Sequence, residues 1–188
     1  MYRFQQEINN VSACCGRYLS DEAIEWIKEN YPVAQPVELY RGFTIQSEDA
    51  GGIDNYDDLN AVCRAWLGAP CEAIVEGAQL IYQTPVSMSW SHDPSVAMNF
   101  LCPRAGGNLN SDYNECLAKI MIKATIPADK IVVDMTMLPN EYQGYYPFQK
   151  EVIIDFGVFH VEVQWASIKE WNGASWGAIR DHNIGKLG

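Results

Sequence analysis

From Cys116 to Ile126 the chain reads CLAKIMIKATI, and apolar side chains recur there at every second position. Cys116, Ala118, Ile120, Ile122, Ala124 and Ile126 share one face of an extended backbone, with lysines on the other, whereas a helix would scatter them around its axis. A strand this long commits the chain to a sheet.

Alternation of the same kind predicts strands at 131–135, 150–155 and 158–165, the last with Phe159, Val161, Val163 and Trp165 inward. Residues 37–42, VELYRG, have strand composition and end at a glycine. From Pro85 onward Val86, Met88 and Trp90 fall on one face and Ser87, Ser89 and Ser91 on the other, so this strand presents a row of serines. Helices are expected mainly in the first half. Ser20 caps DEAIEWIKEN, with acids in its first turn, and Pro32 follows it. Residues 55–67 place Leu59, Val62, Cys63, Trp66 and Leu67 at helical spacing, with Gly68 as the stop. The stretch CEAIVEGAQLIY, 71–82, reads as helix rather than strand, and Asp93-Pro94 opens a short helix through SVAMNF. Residues 104–114 have loop composition.

Helices first and strands later predict an α+β fold. A length of 188 residues with 48% hydrophobic residues suits one domain over 1–188, with a helical part at about 1–36 and a core at about 37–165. No apolar run approaches the roughly 20 residues of a membrane span, and the N-terminal residues lack a signal-peptide pattern. The expectation is a soluble cytoplasmic protein without a membrane partner. The six cysteines form no C-x-x-C pair and have no partnered histidine spacing, so they read as reduced core thiols and no metal is expected. Thirteen basic against 24 acidic residues give a net charge of −11, which disfavours generic binding to phosphate backbones.

Three polar residues interrupt predicted strands: Arg41, Ser89 and Glu151. Their surroundings, LYRG, then SWSHDPSVAMNF, then YPFQKEVII, resemble the Arg-Ser-Glu class of ADP-ribosyltransferases, the family of clostridial and vertebrate mono-ADP-ribosyltransferases. The resemblance covers about residues 37–165. In that family an aromatic-Arg-Gly ends a strand, Ser-Thr-Ser precedes a short helix carrying Ala and Phe, and Glu/Gln-x-Glu precedes aliphatic residues. Arg41 with Gly42, Ser89 with Ser91, Ala97 with Phe100, and Gln149 with Glu151 stand at those places. Trp90 replaces the usual Thr; it would face away from Ser89 and alter packing rather than the polar face.

The resemblance implies N-terminal helices packed on a mixed or antiparallel two-sheet β core, with NAD as co-substrate in the cleft between the sheets. It assigns Arg41, Gly42, Ser89, Ser91, Phe100 and Arg104 to binding NAD, and Glu151, Gln149, Ser89 and Arg41 to catalysis. A guanidinium matches the oxygens of a diphosphate, a carboxylate stabilises an oxocarbenium-like ribose, and a hydroxyl on an adjacent strand orients that carboxylate. Period-two geometry places Gln149 on the same face as Glu151. In the family a Gln here goes with asparagine or guanine acceptors, and a neutral amide suits an amide or base edge better than a guanidinium to be deprotonated. Tyr146, three residues earlier, matches the aromatic of the acceptor-recognition turn. His92 beside Asp93 reads as a polar pair at a helix start.

The implied activity is transfer of ADP-ribose from NAD to a macromolecule. The acid-rich composition favours a protein acceptor over nucleic acid, and guanidino acceptors are disfavoured. An NAD glycohydrolase, and a catalytically silent module that binds NAD or a partner, are the alternatives. One catalytic domain without a visible delivery segment points to a bacterial or phage effector or toxin acting in the cell that makes it, with an inhibitory partner such as an antitoxin.

Overall fold

Two helices come first. In the computed structural model, which describes residues 3–14, 19–77, 79–84, 88–101, 116–142 and 147–183, α1 spans Gln5–Cys14 and α2 spans Asp21–Asn30. Ser20 caps α2 as expected, its hydroxyl accepting the Ala23 N–H at 3.2 Å. Glu7 of α1 accepts both the Ser20 N–H at 2.9 Å and the Ser20 hydroxyl at 2.8 Å, so the cap also ties the two helices together. Next come β1 (Val37–Gln46), α3 (Tyr56–Leu67), α4 (Cys71–Val75), β2 (Gln79–Thr84), β3 (Met88–Ser91) and α5 (Pro94–Asn99). The remainder is β4 (Cys116–Ile126), β5 (Ile131–Asp134), β6 (Glu151–Ile154), β7 (Gly157–Trp171) and β8 (Trp176–Asn183). The architecture is α+β, as the order of elements predicted, and the pairings of β3, β5, β6, β7 and β8 described below are antiparallel.

The chain divides into two units, each assembled from three segments: Met1–Tyr40, Thr84–Val96 and Thr125–Val158 in the first, and Arg41–Gln83, Ala97–Ala124 and Phe159–Gly188 in the second. The divisions fall inside β1, β2, α5, β4 and β7, which is why no linker composition marks them in the sequence.

In the first unit, β3 lies between the start of β1 and β6, and β5 flanks β6. Ile153 of β6 joins Val132, Val133, Met135, Leu138 and Tyr142 in a cluster closed by Ile8 of α1 and Ile27 of α2. Trp26 packs edge-on or tilted against Phe4, Tyr31 and Tyr142, with ring centroids 5.5–6.0 Å apart.

In the second unit β4 buries the predicted inward set together with Leu117 and Met121 of its other face, where Lys119, Lys123 and Thr125 are not buried. The expected lysine face therefore also carries two buried apolar residues, Leu117 and Met121. A bulge at Met121/Ile122 shifts its register against β7.

Two expectations fail here. Residues 71–82 are not one helix: α4 ends at Val75, Gly77 takes a left-handed φ of 76°, and β2 follows with strict alternation of exposed and buried residues. The strand content also continues past 165, since β7 runs to Trp171 and β8 pairs back along it, turning at Asn172-Gly173 with φ 92° at the glycine. Among the described residues no helix is long and apolar enough to cross a membrane. Cys63, Cys71 and Cys116 are free thiols in the interior, in keeping with the expected core role.

Candidate active site

β3 and β6 run antiparallel with Ser91 opposite Glu151, Trp90 opposite Val152 and Ser89 opposite Ile153. Side chains alternate, so Ser89, Ser91, Glu151 and Ile153 share one face and Trp90 takes the other, where it is buried. Trp90 thus packs away from the serines and leaves their face intact, as the alternation predicted.

Glu151 opens β6 and is only 5% exposed, on the same face as Ile153 of the apolar cluster of the first unit. Ser89 reaches it diagonally across the strands, the Ser89 hydroxyl donating to Glu151 Oε1. Glu151 Oε2 is buried with no hydrogen-bond partner among the described residues. A buried carboxylate normally has its lone pairs satisfied, so an open oxygen marks a place where a ligand hydroxyl or a positive charge is wanted.

Ser91 is engaged otherwise. Its hydroxyl donates to the Gln149 carbonyl at 2.7 Å and accepts the Asp93 N–H at 3.0 Å, so it fixes backbone on both sides. Gln149 itself is not in the strand. It ends a 3-10 turn, Pro147–Gln149, and Lys150 between it and Glu151 has a φ of 45°. Strand alternation therefore does not set the relation of Gln149 to Glu151; a left-handed residue reverses the backbone between them. Gln149 is half-buried, and Phe148 before it is 66% exposed.

Asp93 caps α5, accepting the Ser95 N–H at 2.9 Å and the Ser95 hydroxyl at 2.6 Å, while its other oxygen takes Lys150 Nζ at 3.0 Å. Hydrogen bonds from Ser95, then from Lys150, hold its carboxyl down at about 2. His92 does more than open the helix: its Nε2 lies 2.7 Å from Asp134 Oδ2, at the end of β5. Asp134 Oδ1 accepts the Thr136 N–H and hydroxyl at 2.9 and 2.7 Å. Burial pushes the Asp134 carboxyl up, but hydrogen bonds from His92 and Thr136 outweigh it and leave the group below its ordinary value. Nothing in the residue order identified Asp134 as a partner for His92.

Arg41 follows Tyr40 in β1, whose register sets Tyr40 opposite Ser91, and Arg41 itself belongs to the second unit, partly buried. Gly42 is required by packing within that unit: a Cβ there would sit 2.0 Å from the Ala97 carbonyl oxygen and 3.2 Å from Leu101 Cδ2. Phe100, one residue past α5, is 36% exposed. Arg104 and Tyr146 lie outside the described residues. No group of three or more His, Cys, Asp or Glu among the described residues is arranged to hold a metal ion. The structure thus brings Ser89 to Glu151 and Ser91 to the Gln149 backbone. Comparison with models of known families, with curated proteins and with solved structures finds no match to this chain.

Proposed function

We propose that the chain is an NAD-dependent mono-ADP-ribosyltransferase with Glu151 as its catalytic carboxylate. The observation that carries this reading is the Ser89–Glu151 pair: a buried carboxylate held at one oxygen by a neighbouring strand and open at the other. Such a group accepts a hydrogen bond from a ribose hydroxyl and faces the positive charge that develops on the sugar. The bond between the nicotinamide nitrogen and the ribose anomeric carbon breaks, its electron pair leaving with nicotinamide. The oxocarbenium-like ribose is then captured by a nucleophile of the acceptor, which gives up its proton. The guanidinium of Arg41 suits the diphosphate of NAD, and the three sequence motifs occur in the order of the Arg-Ser-Glu class. Gln149 is a neutral amide on the acceptor side, which favours an amide or a base edge over arginine, and a protein acceptor over nucleic acid in so acidic a chain.

The test is incubation of wild type, Glu151→Gln and Arg41→Ala with labelled NAD and a bacterial lysate, reading nicotinamide release and label on macromolecules. The wild type releases nicotinamide and labels material sensitive to protease but not nuclease; both variants lose release. Full activity in either variant refutes the assignment, and label recovered only as free ADP-ribose makes water the acceptor. Calorimetric NAD binding without turnover would identify a silent module instead. A toxin or effector role carries its own measurement: expression slows bacterial growth, and Glu151→Gln relieves it.

A further inference from the structure

Residues 91–93 grip residues 149–150 at three points. The Ser91 hydroxyl holds the Gln149 carbonyl at 2.7 Å, the His92 N–H reaches the Lys150 carbonyl at 3.3 Å, and Lys150 Nζ meets Asp93 Oδ2 at 3.0 Å. Between these contacts Lys150 is held at φ 45°, a conformation that residues with a Cβ adopt rarely and only when their surroundings enforce it. The next residue is Glu151.

We infer that Asp93 and Lys150 are positioning residues: their ion pair locks the left-handed turn that joins Gln149 to Glu151, and so sets the placement of the Glu151 carboxylate. An exposed ion pair is ordinarily weak, but this one differs in two respects. Asp93 is already oriented by Ser95 at the start of α5, so little side-chain freedom is lost on pairing. Lys150 projects from the strained residue itself, so the pair acts where the backbone would otherwise relax. With the ammonium released, residue 150 can return to negative φ, and the peptide groups on either side rotate away from the Ser91 and His92 contacts. His92 cannot follow that movement, because its ring is tied to Asp134 and through it to Thr136. Glu151 sits at the junction between this turn and the ladder with β3, so loosening the turn displaces its carboxylate relative to Ser89. Strain of this kind, stored beside a reacting group and held by neighbours, is how a fold preorganises a site.

The inference rests on the transferase reading, and two measurements on the full-length chain separate them. Asp93→Asn keeps the oxygen that Ser95 needs, Lys150→Met keeps the stem, and Lys150→Arg keeps the charge. Amide hydrogen exchange of residues 149–152 should rise about fivefold in Asp93→Asn and Lys150→Met, stay near wild type in Lys150→Arg, and rise no further in the double variant. With NAD varied in the presence of the lysate, kcat for nicotinamide release should fall about fivefold to tenfold in the same two variants, with KM within about twofold of wild type, and Lys150→Arg should restore it. Unchanged exchange in both single variants, additive effects in the double, or faster exchange with untouched kcat overturns the inference. If the wild type releases no nicotinamide the transferase reading falls, and the exchange measurements alone support or overturn the clamp. If Glu151→Gln abolishes release while the clamp variants match wild type in both measurements, the clamp falls and the transferase stands.

Discussion

Replacing Ser89 by Ala removes the only donor that the described residues offer to the Glu151 carboxylate. A hydrogen bond to a charged group contributes roughly 1.5–3 kcal/mol, more than a neutral one because the partner left behind is an ionised acceptor. Glu151 is 5% exposed, so the orphaned oxygen cannot simply turn to bulk water, while the half-buried Ser89 position lets a water in the space of the lost hydroxyl recover part of the loss. These opposing effects place the cost near the lower middle of that range, about 2 kcal/mol. In a domain of this size, that shifts the thermal midpoint down by roughly 4–8 °C. If the bond also orients Glu151 in the transition state, about 2 kcal/mol is roughly a thirtyfold loss in kcat for nicotinamide release, with KM nearly unchanged. Thermal unfolding of Ser89→Ala, Glu151→Gln and the double variant gives a cycle. In the Glu151→Gln background the hydrogen bond is neutral, and removing Ser89 should cost only about 1 kcal/mol. A Ser89→Ala midpoint indistinguishable from wild type, or an equal cost in both backgrounds, would refute the idea that the serine holds a charged carboxylate.

Other consequences are equally measurable. Gly42→Ala brings a methyl to 2.0 Å from the Ala97 carbonyl oxygen, so backbone must shift, and chemical denaturation should show a loss of about 1–3 kcal/mol. The Asp93 carboxyl lies at about 2 against an ordinary 3.8. A depressed folded value contributes stability above the unfolded value and loses it as pH falls through the folded one. Denaturation midpoints should therefore show a constant gap between wild type and Asp93→Asn down to about pH 4 that closes towards pH 2. His92→Ala strips one partner from the buried Asp134 while leaving the two Thr136 bonds, and should cost about 2 kcal/mol by the same denaturation assay. Cys63 and Cys71, with sulfurs 3.6 Å apart and almost no exposed surface, should resist iodoacetamide in the native state and react together once urea opens the second unit.

What could be read from residue order follows from the range of the forces involved. Caps and periodicity are local, so Ser20, Gly68, Asp93-Pro94 and the β4 run each announced their element. The serine face of β3 was legible for the same reason, and once β3 and β6 pair, Ser89 and Glu151 meet without further information. Where two local signals competed, the reading went astray. CEAIVEGAQLIY carries a helical start and a strand end, and the helical half masked the alternation of Leu80, Tyr82 and Thr84 that makes β2. The Asn-Gly of WNGASW was a hairpin signal passed over, which hid β8. The His92–Asp134 bond spans 42 positions and has no local signature at all.

The segment QKE shows why spacing alone is ambiguous. Two polar residues separated by one lysine look like alternate positions on a strand, and a strand would have bound both to the same ladder. In the fold only Glu151 is in the ladder, opposite Ser91, while Gln149 stands outside it beyond a left-handed Lys150. The two side chains are therefore governed by different constraints. Glu151 is fixed by strand pairing and by Ser89 as well as by the turn before it, whereas Gln149 rests on that turn alone, which two hydrogen bonds and one ion pair hold at its base. Under the proposed transferase reading, the carboxylate that would act on the sugar is anchored in the ladder opposite Ser91, and the amide that would face the acceptor rides on the turn that Ser91, His92 and Asp93 hold.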